Sequence, residues 1–383
     1  MGEKILDPFA GSGSIMVGAA QLDRESVGID VSPLAAFITK VKVTPLDDLQ
    51  VGAIRKFIEQ PNTLLVSDPW PAPALKIAHK MFEPDILETL LRIRRAIEAW
   101  TEDQDVHDFL LLAWISILES VGSYFKEGNG IKYRNKKREA VGYSVRIDGV
   151  WQLERFGEDQ KAFTLQSFTR HLGHMLKDAE SVWVGQPAWK RQVIHTGSAT
   201  EIMPGLPDQA FDSVIFSPPY ANRFDYFEAT KVEMWFGGFV KSYADLNTLR
   251  KQSMRSHLGS ALGDTDYVND DLESLISLMD QDSYAAKSRV PSLLRGYFED
   301  MKSVLTQCRR VTKAGSRTYV VVGNSAYAGV IMPTDSLCAQ VALASGFKNA
   351  KLHVVRHLTV APQQRDQLRG YESFMRESVV ELW

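Results

Sequence analysis

The stretch ILDPFAGSGSIMVGAAQLDRESVGIDVSP, residues 5–33, decides the fold. Its first apolar residues end at an acid, Asp7, and a glycine turn then opens into an apolar segment of helical character. A second apolar strand follows and ends at another acid, Asp30. Strand, glycine turn, helix and strand in this order form half of a doubly wound nucleotide-binding sheet. The sequence therefore predicts an α/β fold.

The glycine turn also indicates the ligand. Gly11 and Gly13 permit a sharp turn and a close approach of backbone to ligand. Asp30 comes 17 residues after Gly13, where a carboxylate suits the two hydroxyls of a ribose. Dinucleotide enzymes prefer a third glycine where this chain has Met16, and the Asp7 carboxylate would repel a pyrophosphate but suit a cationic amino group. These features favour S-adenosylmethionine over NAD as the cofactor.

Bulk composition limits the class of protein. The chain has 383 residues, 44% of them hydrophobic, and a net charge of −3, so nucleic-acid binding would need a local basic face. Two cysteines without CxxC spacing indicate a reducing, cytoplasmic setting and no metal site. No apolar run reaches the ~18 residues of a membrane span, so no membrane association is predicted.

The alternation of strands and helices is interrupted once. Residues from about 46 to 190 have mainly helical periodicity, and the strand–helix rhythm returns at residue 191. One long helix is predicted to run from Arg289 to Gly315. The last two strands are predicted in HVVRHL and RESVVELW.

A second motif, Ser217-Pro218-Pro219-Tyr220, ends the predicted strand Phe211–Phe216. Proline can neither donate to a strand ladder nor continue a helix, so the chain must turn stiffly here. The Ser217 side-chain oxygen and the Pro218 carbonyl could accept the two N–H bonds of an exocyclic amino group, drawing its lone pair out of conjugation with the base. Tyr220 could stack on that base. A rigid loop without chemistry is the alternative interpretation.

Together, DPFAGSGS, GIDVSP and SPPY resemble motifs I, II and IV of the S-adenosylmethionine-dependent amino-methyltransferases of DNA. The resemblance covers residues 1–45 and 191–383 and implies a Rossmann-like seven-stranded methyltransferase sheet with an antiparallel last strand. It implies methylation of the exocyclic amino group of a flipped base, usually N4 of cytosine with SPPY and N6 of adenine with DPPY or NPPY. The resemblance assigns catalysis to Ser217, Pro218, Pro219 and Tyr220. It assigns cofactor binding to Asp7, Pro8, Phe9, Ala10, Gly11, Ser12, Gly13, Asp30, Val31, Ser198 and Ala199. The acid that the family usually has near Ser198 and Ala199 is missing.

The resemblance also divides the chain. Residues 1–45 would be the cofactor-binding part, 46–190 a mainly helical insertion for target recognition, and 191–383 the catalytic part. The family has a further helix upstream of motif I, which the few residues before the first strand cannot form. The segment MFEPDILETLL, a partner chain, or residues of a longer protein are the alternatives for it.

Two basic clusters are candidates for contact with double-stranded DNA. Residues 126–138 carry six basic residues against one acid, and RKQSMRSH, residues 250–257, is the second cluster. A solvated loop is the alternative for the first. The predicted DNA-binding residues are Lys132, Tyr133, Arg134, Lys136, Lys137, Arg223, Arg250 and Arg255. A cognate restriction endonuclease or a partner subunit is a further expected partner.

Other classes fit less well. A C5-cytosine methyltransferase needs a cysteine beside the catalytic prolines, and this chain has serine there. An RNA base methyltransferase shares the fold, but no separate RNA-binding module is evident. A non-catalytic DNA-binding subunit would be expected to lose one of the motifs, and both are present. The sequence thus predicts an N4-cytosine DNA methyltransferase in which Gly13→Val abolishes cofactor binding without unfolding the protein.

Overall fold

The computed structural model describes residues 3–128, 130–133, 146–147, 150–151, 159–183, 191–265, 267–279, 283–360 and 364–383. The chain forms two compact units. Unit 1 comprises residues 1–40, 191–225 and 247–383, and unit 2 comprises residues 41–190 and 226–246. Residues 226–246, which the sequence grouped with the catalytic part, therefore fall in unit 2.

Unit 1 is built on one sheet with seven strands among the described residues. The strands are β1 Lys4–Asp7, β2 Glu25–Asp30, β3 Gln192–Thr196, β4 Phe211–Phe216, β5 Thr312–Gly323, β6 Ala350–His357 and β7 Arg376–Leu382. They follow the order β6-β7-β5-β4-β1-β2-β3 in the sheet. The pairs β1–β2, β1–β4, β2–β3 and β4–β5 are parallel, whereas β7 is antiparallel to both β5 and β6. The predicted Rossmann-like sheet with an antiparallel last strand is confirmed.

Helices connect these strands. They are α1 Ser14–Gln21, α2 Pro33–Val43, α3 Asp48–Glu59, α4 Pro84–Trp100, α5 Gln104–Ser116, α6 Gln160–Trp183, α7 Tyr243–Gln252, α8 Asp270–Ser277, α9 Val290–Val311 and α10 Thr334–Ala344. Within the described part of the chain, no helix is both long and apolar enough to cross a membrane.

Helix α9 supplies much of the core of unit 1. Its buried residues recur at helical spacing from Val290 to Val311 and join β4 and β5 in one apolar cluster. The helix ends at Val311 rather than at Gly315 as the sequence suggested. Thr312 is already extended, and its Oγ1 donates to the Cys308 carbonyl at 2.6 Å, so a side chain satisfies a carbonyl of the last turn.

Unit 2 is mainly helical, and α4 packs against both α5 and α6. The indole Nε1 of Trp114 donates to the Leu90 carbonyl at 2.8 Å and ties α5 to α4. Part of the segment MFEPDILETLL thus uses its apolar face inside unit 2. The basic stretch begins in a hairpin, Tyr124–Glu127 paired with Gly130–Tyr133, which the sequence did not predict.

Short elements complete the description. Unit 2 also contains the helices Ala78–Met81, Leu118–Val121, Tyr226–Ala229 and Lys231–Phe236, the 3-10 helix Pro61–Leu65 and the hairpin Arg146–Ile147 with Val150–Trp151. Unit 1 also contains the helices Ala199–Ile202 and Tyr284–Lys287, the 3-10 helices Met203–Gly205 and Glu372–Phe374, and the hairpin Ser325–Tyr327 with Val330–Met332.

Candidate active site

The turn after β1 and the turn after β4 lie side by side. Strand β1 pairs with β2 on one side and with β4 on the other, so the order of strands reverses at β1. Leu6 lies opposite Val214, and both strands therefore end at the same edge of the sheet. The rings of Phe9 and Phe216, at these ends, have centroids 5.6 Å apart. Ligands of open α/β sheets bind in the crevice outside such a switch point.

The glycine turn is held by the second strand and by α2. Ala10 N donates to the Ile29 carbonyl at 2.9 Å, and Gly11 N donates to Asp30 Oδ2 at 2.8 Å. Thr39 Oγ1 of α2 donates to the Gly11 carbonyl at 3.0 Å. The sequence did not single out Thr39, which holds the glycine turn, because a lone threonine within a helix carries no positional signal.

Gly13 is required by its surroundings as well as by any ligand. Its φ is 82°, and a Cβ at this position would lie 2.8 Å from Thr39 Oγ1 and 2.9 Å from Thr39 Cγ2. This geometry argues against the expectation that Gly13→Val spares the fold, because the new side chain would clash with Thr39 of α2 and Gly13 has a left-handed φ. At Gly11, by contrast, the nearest atom to an added Cβ is the Phe9 carbonyl oxygen at 4.0 Å.

Two carboxylates flank the turn. Asp7 is 2% exposed and accepts from Phe9 N at 3.1 Å. Burial, together with the nearby charge of Asp30, raises the pKa of Asp7 to about 7. Burial likewise raises the pKa of Asp30 to about 6, although amide donors at Ser32 and Gly11 oppose the shift. Both carboxylates would be stabilised by a cation placed between them.

The remaining predicted cofactor residues surround the same end of the sheet. Gly197 N donates to the Asp30 carbonyl at 2.8 Å, which places the turn after β3 against the end of β2. Ser198 and Ala199 in that turn are buried, and Ser198 Oγ lies 2.9 Å from Thr200 Oγ1. Each Asp30 oxygen accepts one backbone amide and retains a lone pair for a hydroxyl donor. These carboxylate acceptors therefore fit a nucleoside with a cationic amino group. The turn residues Pro8 and Ser12 and the half-buried Val31 lie in the same region.

The Ser-Pro-Pro-Tyr turn follows β4 directly. Ser217 is exposed, and its Oγ donates to the Val321 carbonyl of β5 at 3.2 Å. Because this bond uses the hydroxyl proton, the lone pairs of Ser217 Oγ are left as acceptors. Pro218 is buried, Pro219 is half-buried, and Tyr220 donates its hydroxyl to Glu377 Oε1 at 2.6 Å. The sequence did not identify Glu377, a buried acid in the last strand.

The loop after this turn is also fixed. Tyr327 donates its hydroxyl to the Ala221 carbonyl at 2.6 Å, and Arg223 N donates to the Ser256 carbonyl at 3.1 Å. Arg223 has a φ of 66°, which is uncommon for a residue with a side chain. Its guanidinium carbon lies 5.5 Å from the centroid of the Tyr327 ring. Arg223 is thus held beside the Ser-Pro-Pro-Tyr turn.

The other predicted DNA-binding residues have varied surroundings. Arg255 donates to Asp300 and Glu299, and these two carboxylates offset its charge, so this geometry does not support a DNA contact. Arg250 donates through Nε to Asp225 at 2.8 Å. Lys132, in the hairpin of unit 2, lies 3.8 Å from Glu127 and remains exposed at its side chain, with Tyr133 beside it. Arg134, Lys136 and Lys137 lie outside the described residues.

No protein-family model matches the chain. Comparison with curated proteins does find relatives. Type II methyltransferase M.BsoBI of Geobacillus stearothermophilus is 24% identical over 387 residues, covering 93% of this chain and 75% of the relative. Type II methyltransferases M.AvaI of Nostoc sp. and M.MvaI of Kocuria varians are each 23% identical and cover 92% of this chain and 75% of their own length. The chain is related to the type II methyltransferases. The similarity to these type II methyltransferases extends over 92–93% of the chain and supports a DNA methyltransferase.

Proposed function

We propose that this chain is a DNA methyltransferase that modifies N4 of cytosine, using a base flipped out of the duplex. S-adenosylmethionine is the methyl donor and supplies, when bound, an electrophilic methyl group. The relationship to type II methyltransferases supports the reaction class. The choice of cytosine rests on the serine of Ser217-Pro218-Pro219-Tyr220, because SPPY usually accompanies N4-cytosine methylation in the family that these motifs resemble.

Ser217 would act through its lone pairs. An exocyclic amino group is a weak nucleophile because its lone pair is delocalised into the ring. Acceptance of its two N–H bonds by Ser217 Oγ and the Pro218 carbonyl would favour a pyramidal nitrogen with a localised lone pair. The two prolines keep these acceptors in place, and misplacement by ~1 Å can cost on the order of 10²-fold in rate.

Asp7 and Asp30 would hold the cofactor. We propose that the Asp7 carboxylate faces the cationic amino group and that Asp30 accepts from ribose hydroxyls, as both positions in the fold suggest. Phe9, Ser198 and Ala199 would line the same pocket. Any cation bound here lowers the pKa of both carboxyls toward their ordinary range.

DNA would be bound by cations around the site and on the hairpin of unit 2. We assign Arg223 to the region of the flipped base, and Arg250 to phosphates once DNA competes with Asp225. Lys132, Tyr133, Arg134, Lys136 and Lys137 would contact the backbone, and residues 46–190 would recognise the target sequence. A cognate restriction endonuclease and a cytoplasmic location belong to the same proposal.

Nucleoside mass spectrometry of DNA from cells that express the chain tests the proposal. We expect N4-methylcytosine, absent from cells that express Ser217→Ala with Tyr220→Ala. N6-methyladenine alone would retain the reaction class and reject the role assigned to Ser217. 5-Methylcytosine would reject the mechanism, and unmodified DNA with cofactor-saturated protein would indicate a non-catalytic subunit.

A further inference from the structure

Tyr220 is fixed at its hydroxyl by the last strand of the sheet. The hydroxyl donates to Glu377 Oε1 at 2.6 Å. Glu377 is 9% exposed, so this bond is formed largely away from solvent. Hydrogen bonds to an ionised acceptor are about twice as strong as neutral ones. The position of the Tyr220 hydroxyl is therefore set by β7.

Arg356 keeps that acceptor in place and ionised. Its Nε donates to Glu377 Oε2 at 2.6 Å, and its second terminal nitrogen donates to Oε1 at 3.1 Å. The hydrogen bond from Arg356 and, to a smaller extent, the one from Tyr220 hold the pKa of Glu377 below its ordinary value. The two-pronged contact also orients the carboxylate, because guanidinium and carboxylate match in geometry.

Gly323 fixes the ring of Tyr220 from another side. It lies in β5, and a Cβ there would come within 2.9 Å of Tyr220 Cε2 and 3.1 Å of Tyr220 Cδ2. Its φ lies outside the left-handed region, so the backbone itself does not call for glycine. The space is needed for the ring, which a side chain at this position would displace.

We propose that Glu377 and Gly323, with Arg356 behind the carboxylate, are positioning residues that set the ring plane of Tyr220 before DNA arrives. This inference rests on the proposed function, in which the flipped base stacks on Tyr220. A preset ring does not lose rotamer freedom on binding, and it holds the base amino group at the distance that Ser217 requires. None of the three was evident from the sequence, because they come from strands that follow the motif by about a hundred residues or more.

A double-mutant cycle tests the hydroxyl contact. Tyr220→Phe and Glu377→Ala should each lower the single-turnover methylation rate at saturating DNA by about tenfold or more. The double variant should be no slower than the slower single variant, since both remove the same bond. Glu377→Gln keeps an acceptor oxygen and should recover to within about threefold of wild type.

Glu381→Ala is the matched control. Glu381 lies on the same strand, is 7% exposed and pairs with Arg317 and His353, but it has no bond to Tyr220 among the described hydrogen bonds. Its variant should methylate at the wild-type rate. The positioning role would be overturned if the rate losses of the two single variants multiplied in the double variant. It would also be overturned if Glu381→Ala lowered the methylation rate as much as Glu377→Ala does.

A second cycle tests the ring contact. Gly323→Ala should slow methylation while Tyr220 is present and should have no further effect in a Tyr220→Ala background. Gly52→Ala, at a helical position with no atom within 4 Å of the added Cβ, should leave the rate unchanged. A Gly323→Ala protein with the wild-type rate would remove Gly323 from the proposal.

The outcomes separate this inference from the function on which it rests. If wild-type protein binds the cofactor but methylates no DNA, the proposed function fails. The Tyr220–Glu377 cycle on thermal unfolding midpoints then still tests the contact: coupling would support it, and additivity would overturn it.

Discussion

Ser213 and Ser217 make the same kind of bond from β4 and from the turn that follows it. Ser213 Oγ donates to the Arg317 carbonyl at 3.1 Å, and Ser217 Oγ donates to the Val321 carbonyl at 3.2 Å. Both acceptors are carbonyls of β5, but Ser213 lies inside the strand whereas Ser217 opens the Ser-Pro-Pro-Tyr turn. A comparison of the two serines therefore separates the effect of losing this bond from the effect of losing the role proposed for Ser217.

Ser217→Ala should lower the single-turnover methylation rate by one to two orders of magnitude, as expected for an interaction strengthened in the transition state. DNA affinity should change by less than about threefold, because the interaction with Ser217 is proposed to be weak in the bound DNA and strong only in the transition state. Rapid-quench assays and fluorescence anisotropy measure the two quantities. Ser213→Ala, the control, should match wild type in both. A Ser217→Ala rate equal to wild type would leave the serine only a turn residue.

Asp7 predicts a pH dependence of stability without cofactor. Its folded pKa of about 7 exceeds its ordinary value of 3.8, so the folded state binds more protons between these values. The free energy of unfolding should therefore fall as pH rises through this window, by up to about 4 kcal/mol. Asp7→Asn removes that loss. The free energy of unfolding of Asp7→Asn, measured by urea unfolding, should therefore rise relative to that of the wild type from pH 5.5 to 8. Its affinity for S-adenosylmethionine should fall.

Asp212→Asn is the control for this titration. The Lys313 bond holds the pKa of Asp212 below its ordinary value, so its contribution to stability is lost only in acid. The difference between Asp212→Asn and wild type should stay constant from pH 5.5 to 8. A constant difference for Asp7→Asn as well would show that the Asp7 carboxyl does not titrate in this range.

Two glycines, one before helix α1 and one inside it, should respond in opposite ways to substitution by alanine. Gly13 precedes the helix with a φ of 82° and contacts Thr39, whereas Gly18 lies inside the helix with nothing within 4 Å of an added Cβ. Gly13→Ala should destabilise the protein by at least about 1–2 kcal/mol and weaken cofactor binding. Gly18→Ala should stabilise it by about 0.5–1 kcal/mol and leave binding unchanged. Urea unfolding measures the stability of the two variants, and calorimetric titration measures their affinity for the cofactor. Equal stabilities and equal affinities for the two variants would contradict this prediction.

The elements were predictable where local pattern and tertiary role agree. Strands β1, β2 and β4 are short apolar runs bounded by turns, and the motifs that follow them mark where each one ends. The end of α9 was not predictable, because whether Thr312 continues a helix or starts a strand depends on its pairing with Phe211. The hairpin of Tyr124–Glu127 with Gly130–Tyr133 was missed because each strand has only four residues, too few to establish an apolar alternation.

The candidate site also contains residues that a local motif marks and residues that only the folded chain brings together. Glycine turn, second acid and Ser-Pro-Pro-Tyr are contiguous motifs, and each could be found alone. Glu377 and Arg356 join Tyr220 across more than a hundred residues, and no local pattern marks such a contact. The ion pair of Arg255 with Asp300 likewise could not be inferred from a basic cluster.

At the scale of the whole molecule, DNA affinity should depend on salt through the hairpin of unit 2 and its continuation. Replacement of Lys132, Arg134, Lys136 and Lys137 by Ala should reduce the slope of log affinity against log salt by up to about 0.9 per lost contact. Lys161→Ala is the control, because this exposed lysine already lies near Asp85 and Glu88. Anisotropy titrations over a range of salt would refute the assignment if the fourfold variant kept the wild-type slope.

Unit 1 is assembled from three separate stretches of chain, and this has a consequence for its synthesis. Lys4 N donates to Asp212, which is 208 residues further on, and β4 is the neighbour that completes the sheet beside β1. At ~5–20 residues per second, a ribosome takes about 10–40 s to deliver it. Through that interval the nascent β1–β2 pair carries an open parallel edge that can pair wrongly. The yield of native protein should therefore depend on translation speed and chaperone supply more than on the stability of the finished fold.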